Sequence, residues 1–200
     1  MNKSLTDEVL AITKRMGIIR PRDLEQRGIP REYLLRLMRS GTLHRSGRGL
    51  YELAEATPTE HHSLAMIAKE TPKGVICLLS ALRFHELTTQ QPSKVWVGIH
   101  TRGWHPTIST TAYQVVRYSE TTFKAGVDSH RIEGVMVRIF NPAKTIADCF
   151  KYRNKIGLDV ALEALRDALR QRKATVDEIQ HYANICRVAK IIRPYLEASV

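Results

Sequence analysis

PREYLLRLMRSGTLHRSGRGLYEL, residues 30–53, is the stretch on which the fold turns. It opens with Pro30 and breaks at Gly41, which is proline just inside the start of a short helix and glycine just past its end. Stepping about 100° per residue puts Tyr33, Leu34, Leu37 and Met38 on one face. Glu32, Arg36 and Arg39 share the opposite face, with Leu35 at the border and Arg31 in the first turn. After Gly41 the pattern changes. Leu43 on one side and Leu50, Tyr51 and Leu53 on the other read as two strands, with Arg45-Ser46-Gly47-Arg48-Gly49 as the turn between them. A helix followed at once by an arginine-bearing hairpin has the layout of a recognition helix and its wing.

The residues before this stretch complete the unit. Leu5, Val9, Ile12 and Met16 recur on one face of an amphipathic helix, with Ser4 and Asp7 resembling a capping box and Gly17 closing it. RPRDLEQRGIP, residues 20–30, has Pro21 in a first turn, Leu24 as its apolar residue and a stop at Gly28. Two short helices across a glycine turn make a helix-turn-helix pattern, though a plain αα-hairpin without nucleic-acid contacts has the same outline. The charge separates the two. Arg20, Arg22, Arg27, Arg31, Arg36, Arg39, Arg45 and Arg48 crowd residues 20–48 without a single lysine, and only Asp23, Glu25 and Glu32 oppose them. Arginine presents a planar fork that pairs with guanine or phosphate, whereas lysine acts as a point charge. The expected DNA-binding residues are therefore Arg20, Arg22, Arg31, Arg36, Arg39, His44, Arg45 and Arg48. Arg36 is placed for base readout, and Arg45 and Arg48 for phosphate or the minor groove, which Gly47 and Gly49 let the backbone approach.

The whole chain agrees with this reading. Two hundred residues suit one large domain or two small ones. A formal charge of +11 favours a polyanionic partner, either nucleic acid or an acidic protein or membrane surface. Cys77, Cys149 and Cys186 are odd in number and sit in apolar contexts, so they read as small buried hydrophobes rather than a disulfide framework. The first residues lack the apolar run of a signal peptide and no later run reaches transmembrane length, so a soluble cytoplasmic protein is expected.

EATPTEHHS, residues 55–63, is a polar boundary. The expectation is a winged helix-turn-helix domain over 1–54 and an α+β domain over 55–200. Beyond the boundary the pattern predicts a helix through Leu64, Ile67 and Ala68 to Thr71, then a buried strand over Val75–Leu79 leading into a helix with Ser80 as its N-cap. KVWVGIH, YQVVRYS and VMVRIF read as strands, with HTRGWHPTISTT as a loop. The last 60 or so residues turn helical. Asn141 and Pro142 open one helix, Leu158, Ala161, Leu162, Leu165 and Leu169 mark the next, and Thr175 with Glu178 caps a third. A final amphipathic segment is shortened or kinked by Pro194. The fold class is α+β: a winged helix-turn-helix, then a mixed α/β domain ending in several helices.

A search for chemistry returns little. HExxH, CxxC, GxSxG, Walker A and GxGxxG are all missing from the sequence. Adjacent His61 and His62 diverge on a helix and suit a helix entry better than a metal site. Asp148, among apolar neighbours, reads as a hydrogen-bonded structural aspartate rather than a general base. No catalytic residue, metal or cofactor is assigned.

In RPRDLEQRGIPREYLLRLMRSGTLHRSGRGLYEL, LLSALRFHELT, VWVGI and NPAKTIADCFKYRNKIG, in that order, the chain resembles the AbiEi-type antitoxins of type IV toxin–antitoxin systems. Two departures stand out. Ser80-Ala81-Leu82 is followed by Glu86-Leu87 where the family often has Gly-Leu, and Pro142, Lys144-Thr145 and Asp148 match its later motif loosely. The resemblance implies a winged helix that binds inverted repeats in the protein's own promoter and represses its operon. It also implies a C-terminal domain that neutralises a nucleotidyltransferase-like toxin without a stable complex. The alternatives are a nucleic-acid-processing enzyme guided by the winged helix, with Asp148 and Glu86 or Asp128 converging on a metal, or a basic module that docks an acidic protein.

Overall fold

The computed structural model describes residues 4–103 and 105–198, so Trp104 of the expected loop lies outside the described residues. The chain is α+β and divides into two compact units. Unit 1 holds residues 1–72, 106–111 and 131–137, and unit 2 the remainder.

Unit 1 begins with α1 (Leu5–Met16), α2 (Pro21–Glu25) and α3 (Glu32–Arg39), followed by the hairpin of β1 (Leu43–Gly47) and β2 (Leu50–Leu53). Ser4 does cap α1, but its hydroxyl accepts from the Thr6 backbone rather than completing a box with Asp7. Gly17 ends α1 at φ +66, in the left-handed region that glycine enters without steric cost. Between α1 and α2, Ile19 bridges to Tyr51 of β2 through a reciprocal pair of backbone bonds of 2.9 and 3.0 Å, tying this link to the wing. Val9, Ile12, Leu24, Leu34, Leu37 and Leu43 meet in one apolar core, so helices and hairpin share a single interior. The N-terminal part is thus a winged helix. Unit 1 also contains α4 (His62–Glu70), where the sequence placed a helix.

Unit 2 is built on α7 (Pro142–Lys151). Asn141 caps it by accepting from the Lys144 backbone at 2.9 Å, and Pro142 occupies the first turn, as the sequence predicts. Every residue from Ala143 to Phe150 is buried, the mark of a helix enclosed on all sides. In the same apolar cluster are residues of α5 (Leu78–Phe84), α9 (Leu158–Arg170), α10 (Val176–Cys186) and α11 (Ala189–Glu197). A four-residue helix, α8 (Arg153–Ile156), joins α7 to α9. The Thr175–Glu178 capping box forms as expected, and α11 continues through Pro194.

The strands β3 (Val75–Ile76), β4 (Val95–His100), β5 (Tyr113–Tyr118), β6 (Val127–Ile132) and β7 (Val135–Phe140) form a sheet in the order β5-β4-β3-β7-β6. β3 runs antiparallel to β4 and parallel to β7, and β4 runs parallel to β5. Two details differ from the sequence reading. β3 is only two residues long, and α5 starts at Leu78 after Cys77, so Ser80 is not its cap. The Ser80 hydroxyl instead accepts from the Trp96 backbone at 2.9 Å, tying α5 to β4. β6 and the five-residue α6 (Glu120–Lys124) were not anticipated, because β6 buries only Ile132 and carries no alternating apolar signal.

Candidate nucleic-acid interface

Periodicity sorts the side chains of α3 as expected. Leu34 and Leu37 are buried, Tyr33 and Met38 pack against the same core, and Arg31, Glu32, Leu35, Arg36 and Arg39 are exposed. The Arg36 guanidinium lies 5.1 Å from the centre of the Tyr33 ring, a cation–π contact that rests it along the helix surface. α3 is joined to the wing by a short link in which the Thr42 N–H donates to the Leu37 carbonyl at 3.0 Å and Leu43 enters the common core.

The wing has a built irregularity. Arg45 pairs with Tyr51 and Gly47 with Leu50, so the register shifts by one residue between them, a bulge that increases local twist. Gly49, at φ +69, takes the left-handed position of the turn and has open space around it, which leaves Arg48 exposed at the tip. Gly47 has a different reason. A Cβ there would stand 2.2 Å from the Thr110 methyl, so its smallness serves packing inside unit 1 rather than approach to a partner. Arg45 donates through Nε to the Gly47 carbonyl at 2.9 Å, which folds its stem across the turn. Beside it on β1, His44 pairs with Glu52 of β2, with Nε2 2.8 Å from the carboxylate.

Arg20 is half-buried and has partners within unit 1. Its backbone N–H donates to the Asp23 carboxylate at 2.8 Å, and its guanidinium donates to the Lys69 carbonyl near the end of α4. Burial lowers its pKa, with Arg22 adding to the effect and Asp23 and Glu70 opposing it. Its bond to the Lys69 carbonyl holds α2 to α4. Arg22 is exposed on α2, and neighbouring Arg27 bonds back to the Asp23 carbonyl. The structure therefore groups Arg31, Arg36 and Arg39 on one helix face and His44, Arg45 and Arg48 on the hairpin that follows.

Behind the wing runs a polar network that sequence reasoning missed. Glu52 is buried on β2, with His44 on one side and His62 Nε2 4.0 Å away on the other. His62 Nδ1 lies 2.7 Å from Glu133, whose carboxylate also accepts from the Thr59 N–H at 2.6 Å. Burial alone would raise the Glu133 carboxyl, but these partners outweigh it and hold the group below the usual glutamate range. Glu133 and Gly134 form the two-residue loop between β6 and β7 with φ of +48 and +80, the type I′ pattern. The one legible signal was the cross-strand register, which sets His44 against Glu52.

Residues 7–54, most of this winged helix, match the family model described as "Transcriptional regulator, AbiEi antitoxin". That stretch is similar to AbiEi-type regulators. Among curated proteins, none matches the chain in sequence. Among solved structures, the "RV2827C protein from Mycobacterium tuberculosis" matches at 13% identity and a TM-score of 0.59, over 98% of this chain and 82% of that one. At this identity the likeness concerns the fold, and it extends past residues 7–54 to almost the whole chain. No helix among the described residues is long and apolar enough to cross a membrane.

The carboxylates weighed for metal-dependent chemistry do not converge. Asp148 is fully buried, with the Lys144 ammonium 2.5 Å away and the Cys186 thiol donating at 3.3 Å. Burial raises its pKa, against the pull of Lys144. Glu86 sits on the surface, paired with Lys173 at 3.0 Å, and Asp128 is exposed on β6. Asp148 fills the structural role expected of it.

Proposed function

We propose that the chain is a sequence-specific DNA-binding antitoxin of a type IV toxin–antitoxin system. It represses its own operon through the winged helix over residues 1–54 and neutralises a nucleotidyltransferase-like toxin through residues 55–200. It works in the cytoplasm, without a cofactor and without a stable toxin complex. The observation that carries the DNA-binding half is the exposed arginine face of α3 followed directly by a wing with Arg48 at its tip. Arg36 and its neighbours read bases, while Arg45 and Arg48 hold phosphate or the minor groove, with Arg22 and His44 as flanking contacts. One winged helix offers few phosphate contacts, so two copies bind an inverted repeat, as a dimer or as paired monomers. Their half-sites lie about one helical turn, or a multiple of it, apart.

Footprinting of the full chain on DNA just upstream of its gene tests this reading. Protection of an inverted repeat, lost in Arg36→Ala and weakened in Arg48→Ala, is the expected result. Wild-type affinity in both variants overturns it. The antitoxin half is tested separately by co-expressing a toxin of the proposed class. Arg48→Ala should still rescue growth, because that wing residue lies outside residues 55–200.

A further inference from the structure

Leu35 is out of place by the logic of burial. It is 44% exposed, and it lies on the charged face of α3 rather than in the core. Helical spacing puts it four residues after Arg31 and four before Arg39, so the three form one row along the helix, with about 6 Å of rise between neighbours. The row reads cation, branched aliphatic, cation. A single exposed leucine on an ordinary surface needs no explanation. Here it interrupts the arginine face proposed to enter the major groove, where an apolar side chain has one natural partner on a base edge. That partner is the 5-methyl group of thymine, and arginines on either side suit guanine O6 and N7.

We infer that Leu35 is a specificity-determining residue that packs on a thymine methyl, next to a guanine read by Arg31 or Arg39. The inference rests on the proposed DNA-binding role of α3 and adds what one position of the half-site must contain. Leu35 acts by complementarity with the base, since the charged residues around it supply attraction that every sequence shares.

Replacing thymine by uracil deletes the methyl and leaves pairing unchanged. The full chain is titrated onto the upstream DNA with uracil at each thymine of the footprint in turn, alongside Leu35→Ala and Leu35→Met. The expected result is a roughly fourfold loss at one thymine of each half-site, corresponding to ~0.8 kcal/mol for a methylene-sized apolar group. Leu35→Ala should bind the thymine duplex correspondingly more weakly and ignore the uracil change, whereas Leu35→Met should stay sensitive. Tight binding by wild type with no uracil effect, or an equal uracil effect in Leu35→Ala, overturns the role of Leu35 and leaves DNA binding intact. Failure of the wild-type chain to bind any upstream DNA overturns both.

Discussion

Lys144 and Asp148 face each other one turn apart on α7, with Nζ and Oδ2 separated by 2.5 Å and neither side chain reaching solvent. The ammonium also lies 4.1 Å from the Phe140 ring centre and 5.0 Å from that of Tyr118. Cys186 donates to the other carboxylate oxygen, so both charges are surrounded by partners inside an apolar core. Taking two ions out of water costs several kcal/mol each, and such a pair survives only when its geometry and extra bonds repay this.

Breaking the pair from one side should therefore be worse than removing it. Lys144→Met is expected to destabilise the fold by about 3–5 kcal/mol, because it strands a buried carboxylate. Adding Asp148→Leu should recover part of that loss. Urea denaturation of the two variants checks the order, and a double variant weaker than the single one contradicts it.

Arg20 and Arg48 separate anchoring from DNA contact. Arg48→Ala should reduce the slope of log affinity against log salt by about one unit, with little change in thermal stability. Arg20→Ala should lower stability by about 1–3 kcal/mol, since its bond to the Lys69 carbonyl is lost, and leave the salt slope unchanged. Fluorescence titration across salt, paired with melting curves, distinguishes the two.

Arg36→Ala should cost about 1–3 kcal/mol at the cognate site, as for a good bidentate base contact, and much less on unrelated DNA. Competition titrations give both numbers. An equal loss on both DNAs would reassign Arg36 to the phosphate backbone.

At Gly17, a Cβ would lie 1.6 Å from the Glu133 carbonyl oxygen, and φ is +66. Gly17→Ala combines that clash with a left-handed penalty of about 1–2 kcal/mol. A large fall in the denaturation midpoint is expected, whereas Gly41→Ala, with open space around its Cβ, should suffer only the backbone penalty.

The Glu133 carboxyl gives a signed dependence on pH. Its folded-state pKa is depressed, so its contribution to stability is fully present above the unfolded value of about 4.3 and disappears as pH falls through the folded value. The difference in stability between wild type and Glu133→Gln should therefore be greatest near neutrality and shrink in acid. Denaturation at a series of pH values measures it, and a difference that stays constant into acid removes Glu133 from the account.

The winged helix was legible because its signals are local. Proline and glycine punctuate α2 and α3, a 3.6-residue period sorts the faces, and the turn residues mark the wing. The strands β4, β5 and β7 were legible for the same reason. What escaped depends on partners distant in sequence. Ser80 looks like a cap until Trp96 is seen beside it, and nothing near Arg20 in the sequence points to its bond with the Lys69 carbonyl. Gly47 looks like room for the backbone to approach DNA, and only the fold shows the Thr110 methyl filling the space beside it. In α9, the leucines suggested the buried stripe, but Val160, Ala164 and Ala168 share the interior while Leu158 is exposed.

The distribution of sulfur offers a practical handle. All three cysteines, Cys77, Cys149 and Cys186, lie in unit 2, each buried, and burial pushes their thiols upward, Cys186 to about 12. A thiol reagent added to the native protein will react only when unit 2 opens, so labelling speed is an unmodified clock for the breathing of that half alone. A cysteine placed at the exposed tip position 48 would react at once, giving a site for a dye on the wing while the native thiols stay silent.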